Sequence, residues 1–108
     1  MSLDFYLHEG GVPSNRTEIF WRNATHNLTP MWSLAGCYDA LYDSEGKLAR
    51  EIVDCLRLAL IKMEDCSDDY IALNPANGWG NYPGAVNFLR AVKDACAANP
   101  DGVIRISK

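Results

Sequence analysis

The sequence predicts one α+β domain: a small antiparallel or mixed three-stranded sheet, an N-terminal hairpin plus a C-terminal strand, with three main helices packed on one face. Three observations predict it. Residues 2–7 and 16–22 alternate in polarity, the two-residue period of half-buried strands. Apolar residues recur at helical spacing over 30–43, 47–64 and 83–97. Alternation then returns over residues 103–107, with Ile104 and Ile106 on one side. At 108 residues the chain has the size of one domain and can bury a core without disulfide or metal staples.

Taken in order, Leu3, Phe5 and Leu7 share a face of the first strand. Gly10, Gly11 and Pro13 make residues 8–14 a loop. In the second strand Thr17, Ile19 and Trp21 face one way, and Glu18, Phe20 and Arg22 the other. Thr29-Pro30 opens the first helix, with Thr as N-cap and Pro where its missing N–H is harmless. Its stripe is Met31, Leu34, Ala35, Tyr38, Leu41 and Tyr42, with Gly36 inside at a cost of about 1 kcal/mol against Ala. The second helix carries Leu48, Ile52, Cys55, Leu56, Ala59, Leu60 and Met63, and Val53, Leu58 and Ile61 widen its apolar arc. The carboxylates around Cys66 lack the spacing and central Gly of a calcium loop. Ser67 is placed to cap a short helix, with Asp68 and Asp69 at its positive end. Asn81 caps the last helix if that helix begins at Tyr82, and a turn over 99–102 leads to the final strand.

Composition excludes several function classes. The formal charge is −4 and no Lys/Arg-rich run exists, which argues against sequence-independent binding to a nucleic acid duplex. No apolar run approaches the ~18 residues of a membrane span. Cys37, Cys55, Cys66 and Cys96 form no C-x-x-C pair and lie apart from the two histidines, so neither a metal site nor a cofactor is expected. The first residues show no basic and apolar export pattern. The expectation is therefore a cytoplasmic protein with reduced thiols, Cys55 and Cys96 buried. The N-x-S/T triplets at Asn15, Asn23 and Asn27 read as turn and cap residues rather than glycan acceptors.

Two polar clusters are not explained by the core. Thr25, His26 and Asn27 lie between the second strand and the first helix, where exposed N–H groups and polar side chains collect. There His26 either contacts a ligand or is a surface residue beside a Thr25 or Asn27 cap. The second cluster is NPANGWGNYPG, residues 74–84. Asn77-Gly78 is a turn pair, Trp79 sits between two glycines, and Tyr82 opens a helix. Trp79 is either a plug folded back on the core, the favoured reading, or the wall of a site for a planar polar ligand, with the Asn77 amide and the Tyr82 hydroxyl as polar contacts. The stretch matches neither a P-loop nor a dinucleotide fingerprint. For catalysis only His26, with a carboxylate such as Asp39 or Glu18, offers a hydrolytic pair, and no spacing demands it. If both clusters are functional, they lie side by side.

The THNL of Thr25, His26, Asn27 and Leu28, followed by Met31, Gly36 and Tyr38, and the NGWG of Asn77 to Gly80, with Asn74, Pro75 and Tyr82 around it, resemble a family of small, uncharacterised bacteriophage and bacterial proteins. The resemblance covers most of the chain and departs at Thr29 to Trp32, where a more polar helix start is expected. It implies a phage or bacterial origin, and with it a counter-defence role: binding a small nucleotide-like ligand or a host protein. The expected function is a noncatalytic binding protein. A small hydrolase or nucleotide-modifying enzyme using His26, and an interaction protein with purely architectural motifs, are the alternatives.

Overall fold

The computed structural model describes residues 2–10 and 17–108. Gly11, Pro13 and the Asn15-Arg16 start of the second strand and first triplet lie outside the described residues. Strand β1 (Ser2–His8) is central. It pairs antiparallel with β2 (Glu18–Thr25) on one side and with β3 (Val103–Ser107) on the other, in the order β2-β1-β3. The α+β class, the hairpin and the C-terminal strand are as the alternation predicts.

Alternation decides which face the helices cover. Leu3, Phe5 and Leu7 are fully buried, as is Ile104 of β3. Burying each such side chain contributes about 1.5–3 kcal/mol. On the opposite face Ser2, Asp4 and Tyr6 of β1 stand beside Thr25, Asn23 and Trp21 of β2. That face is polar and partly open: Trp21 donates its indole N–H to Asp4 Oδ1 at 3.1 Å and remains exposed. The register shifts by one residue near Leu7 and His8, a β-bulge on the edge strand.

The expected first helix is two helices. Helix α1 (Thr29–Ala35) ends at Gly36, whose φ of 79° is left-handed, and α2 (Tyr38–Tyr42) starts anew. Gly36 is a C-cap glycine, not a tolerated interior glycine. The break resets the helical phase. Met31, Trp32 and Ala35 point inward, whereas Leu34 and Tyr38, expected in the stripe, are exposed. The N-cap is Leu28 rather than Thr29, because a 3₁₀ turn over His26–Leu28 precedes the helix.

Helix α3 (Val53–Asp65) buries Leu56, Ala59, Leu60 and Met63, while Leu58 and Ile61 face outward. Helix α4 (Ser67–Ile71) has Cys66 as its N-cap without a side-chain bond, so Ser67 is its first residue and not its cap. Helix α5 (Tyr82–Ala98) starts as predicted: Asn81 Oδ1 accepts the N–H of Gly84 at 2.8 Å. It packs against α3 and across β2 and β1. The outer edge of β3 is covered by the turn that follows α2, where Gly46 donates to the Ile104 carbonyl, Ile104 to the Lys47 carbonyl, and Ile106 to the Glu45 carboxylate. Among the described residues, no helix is long and apolar enough to cross a membrane.

All four cysteines are free thiols, but the buried pair is Cys37 and Cys96, with Cys55 only half-buried and Cys66 exposed. Burial pushes the Cys37 and Cys96 thiols up to about 12. Because the thiolate is the nucleophile, native protein treated with a thiol reagent at neutral pH should modify Cys66 first and Cys55 next. Cys37 and Cys96 should react only after denaturation. Mass spectrometry of the time course checks this, and early modification of Cys37 would contradict the packing.

Candidate functional site

The two sequence clusters meet at one end of the open sheet face. Thr25 ends β2, and its Oγ1 accepts the backbone N–H of Asn27 at 3.2 Å, which turns the chain into the 3₁₀ segment. Asn27 Nδ2 in turn donates to the Trp79 carbonyl at 3.3 Å, across 52 residues of sequence. Ser2, Asn23, Thr25, His26, Asn27 and Trp79 line a cleft of about 610 Å³, within the size range of small-ligand sites.

Trp79 does not plug the core but borders the cleft. Its side chain is 71 % exposed, against the favoured sequence reading. The core tryptophan is Trp32, which is 0 % exposed, packs 5.7 Å from the Phe88 ring and has no hydrogen-bond partner for its indole N–H among the described residues. The two glycines beside Trp79 differ in purpose. Both have positive φ, 77° at Gly78 and 95° at Gly80. Among the described residues a Cβ at Gly78 would meet no atom within 4 Å, but at Gly80 it would come within 2.7 Å of Thr25 Cγ2 and 3.1 Å of Leu28 Cδ2. Gly80 is therefore the point of close approach that docks the tryptophan loop onto the THNL turn.

A pair of alanine variants isolates that docking. Gly78→Ala should cost about 1–2 kcal/mol for left-handed backbone alone. Gly80→Ala should cost more, because Thr25 and Leu28 must also move, and should shift the Asn27 side-chain amide resonances. Equal melting temperatures for the two variants would contradict a built contact.

The asparagines of the loop are structural. Asn77 Oδ1 accepts the Trp79 N–H at 3.0 Å, Asn74 Oδ1 accepts that of Tyr82 at 2.8 Å, and Asn81 caps α5. Such local bonds replace a helix or sheet ladder. Asn77 thus stands outside the cleft, contrary to the expectation that its amide faces a ligand. So does Tyr82. Its hydroxyl donates to the Met63 carbonyl at 2.7 Å, pinning the start of α5 to the end of α3, and burial raises its pKa.

His26 is half-buried and shared between two hollows. Its Nδ1 lies 2.8 Å from the Tyr42 hydroxyl. Tyr42, pushed up to about 12 by burial and by neighbouring Tyr38, stays protonated at neutral pH. Tyr38 stacks flat on Tyr42, with ring centroids 4.6 Å apart. Beyond His26, Thr29, Tyr38, Tyr42 and Lys108 line the second hollow, of about 260 Å³. Lys108 there donates to the Tyr42 carbonyl at 2.9 Å and pairs with Asp43.

Sequence reasoning did not select Ser2, Tyr38, Tyr42 or Lys108 for the site. Ser2 reaches the cleft only through the hairpin register that places it opposite Thr25. Among the described residues no cluster of three or more His, Cys, Asp or Glu has the arrangement to hold a metal ion. No family model, curated protein or solved structure matches the chain.

Proposed function

We propose that the protein is a noncatalytic binding module that captures a small, uncharged, ring-shaped ligand in the cleft beside Trp79. One observation carries this reading. A tryptophan face is held out in solvent by a hydrogen bond from Asn27 and a close glycine contact, above a floor of Ser, Thr, Asn and His side chains. An exposed indole without a ligand is a large apolar surface in water. A loop built to hold it there is consistent with recognition.

The lining also narrows the ligand. Among the described residues no Lys or Arg lines the cleft, so a nucleotide's phosphates would lack their counter-charge. The nucleotide-like ligand expected from the motifs is reduced to its ring. His26 gives one ring nitrogen to the Tyr42 hydroxyl, which favours a positioning and hydrogen-bonding role over that of a hydrolytic base. In the phage or bacterial setting the motifs imply, capturing a host metabolite would serve counter-defence.

Calorimetric titration with a panel of nucleosides and neutral saccharides tests the reading. At least one probe should bind wild-type protein. Trp79→Ala should weaken it by about tenfold or more, the ~1–3 kcal/mol of a stacked ring, and His26→Ala by less. Binding that survives Trp79→Ala unchanged would place the site elsewhere.

A further inference from the structure

Given the reading of the cleft as a ligand site, on which this inference rests, the hydrogen-bonding groups left over there specify the ring further. Asn23 uses its amide N–H groups on Ser2 Oγ and Asp4 Oδ1, both at 2.9 Å, which leaves its own Oδ1 as an acceptor. Ser2 and Thr25 each accept a bond at their hydroxyl oxygen and retain an O–H to donate. Asn27 gives one N–H to Trp79 and retains its Oδ1. His26 retains Nε2. Donors and acceptors are thus interleaved around one apolar platform, and none carries a fixed charge.

Hydroxyl groups, which donate and accept at once, match such a mixture. A ring with C–H groups on one face and hydroxyls around its rim satisfies both the indole and the floor. A nucleobase has a fixed pattern along one edge and two flat faces, yet among the cleft residues Trp79 is the one aromatic platform besides the His26 ring.

One open stacking contact holds a ring weakly, so the second hollow matters. It adjoins the cleft through His26, and its aromatic platform is Tyr38, 36 % exposed and braced from behind by Tyr42. Among the described residues its one cation, Lys108, is paired with Asp43 at 3.2 Å. We propose that the cleft and this hollow are two subsites for an uncharged oligosaccharide, one sugar stacked on Trp79 and the next carried past His26 to Tyr38.

The test titrates wild-type protein, Trp79→Ala and Tyr38→Ala with neutral mono-, di- and trisaccharides of glucose, galactose, mannose and N-acetylglucosamine, and with adenosine. Trp79 is mostly exposed, so Trp79→Ala should melt with the wild type, whereas Tyr38→Ala loses its stack on Tyr42 and should melt somewhat lower, so every titration is run well below both melting temperatures. At least one disaccharide should bind about tenfold tighter than its monosaccharide, the gain from a second stacked ring. Tyr38→Ala should bring the disaccharide down to the monosaccharide affinity without changing the latter, whereas Trp79→Ala should weaken both. Trp79-dependent binding of adenosine with no saccharide bound would overturn the sugar assignment and leave the small-ligand reading standing. Equal affinities for mono- and disaccharide, or no effect of Tyr38→Ala, would overturn the second subsite. Silence from every probe would overturn both readings.

Discussion

Trp32→Ala should destabilise the protein by about 3–5 kcal/mol, the usual cost of deleting a buried aromatic, whereas Trp79→Ala should change stability by less than about 0.5 kcal/mol. The contrast comes from burial: Trp32 is 0 % exposed and Trp79 71 %. Trp32 fills the space between α1 and Phe88 of α5, so removing it leaves a cavity that two helices border. Trp79 contacts the fold through its backbone, whose carbonyl still accepts from Asn27 when the indole is gone. Trp32→Phe separates packing from polarity. It keeps most of the volume and deletes a buried N–H that has no partner among the described residues, itself a cost of about 1–3 kcal/mol in the wild type. It should therefore cost much less than Trp32→Ala. Urea melts of the three variants check the order, and a large loss with Trp79→Ala would return that side chain to the core.

Alkaline pH should unfold the protein over a defined window. Burial raises Cys37 and Cys96 from 9.0 to about 12 and Tyr42 from 10.0 to about 12. Below pH 9 these groups are protonated in both folded and unfolded chains and cost nothing. Above it the unfolded chain ionises first, so stability falls as pH rises through 9 to 12, where the folded groups titrate as well. Each tenfold separation of ionisation constants is worth about 1.4 kcal/mol. Three groups together reach several kcal/mol, comparable with the whole stability of a small domain. Thermal melts from pH 7 to 11 should show the decline beginning near pH 9. The Cys37→Ala/Cys96→Ala variant should start lower in stability, because two buried side chains are trimmed, but lose less between pH 9 and 11. A parallel decline in wild type and variant would mean that the buried thiols do not drive it.

Much of the fold is legible in the sequence because β1 has its inner face written at every second residue, whereas Ile19 and Trp21 of β2 lie exposed. Leu3, Phe5 and Leu7 sit where the alternation puts them, and Asn81 caps α5 as its position before Tyr82-Pro83 indicates. The helical stripe over residues 30–43 misleads for a physical reason. Gly36 is tolerable inside a helix and also favourable at its end, and only tertiary packing chooses. Once it ends α1, the two short helices set their phases separately: α1 turns Trp32 inward and Leu34 outward, and α2 opens on an exposed Tyr38.

The candidate site is half legible. The adjacency of the THNL turn and the NGWG loop is expected once both are read as polar clusters without a core role, and Asn27 joins them. Their inner detail is not readable. An asparagine amide serves its own loop or a ligand with equal ease, and Asn77 serves the loop. Tyr82 likewise looks free in sequence, yet Met63, 19 residues away, takes its hydroxyl. Ser2 needs the strand register, which depends on a bulge and a loop that alternation does not fix. Gly80 reads as a flexible turn, while its requirement is the 2.7 Å approach to Thr25.

The proposed recognition surface is Trp79. The three indole N–H resonances, from Trp21, Trp32 and Trp79, test it directly during a titration with the neutral saccharide and nucleoside panel. The Trp79 signal should move together with backbone amides of residues 23–27, while Trp32 stays fixed in the core. A Trp79 signal that holds still for every probe, or shifts confined to the exposed Leu58 and Ile61 side of α3, would contradict it.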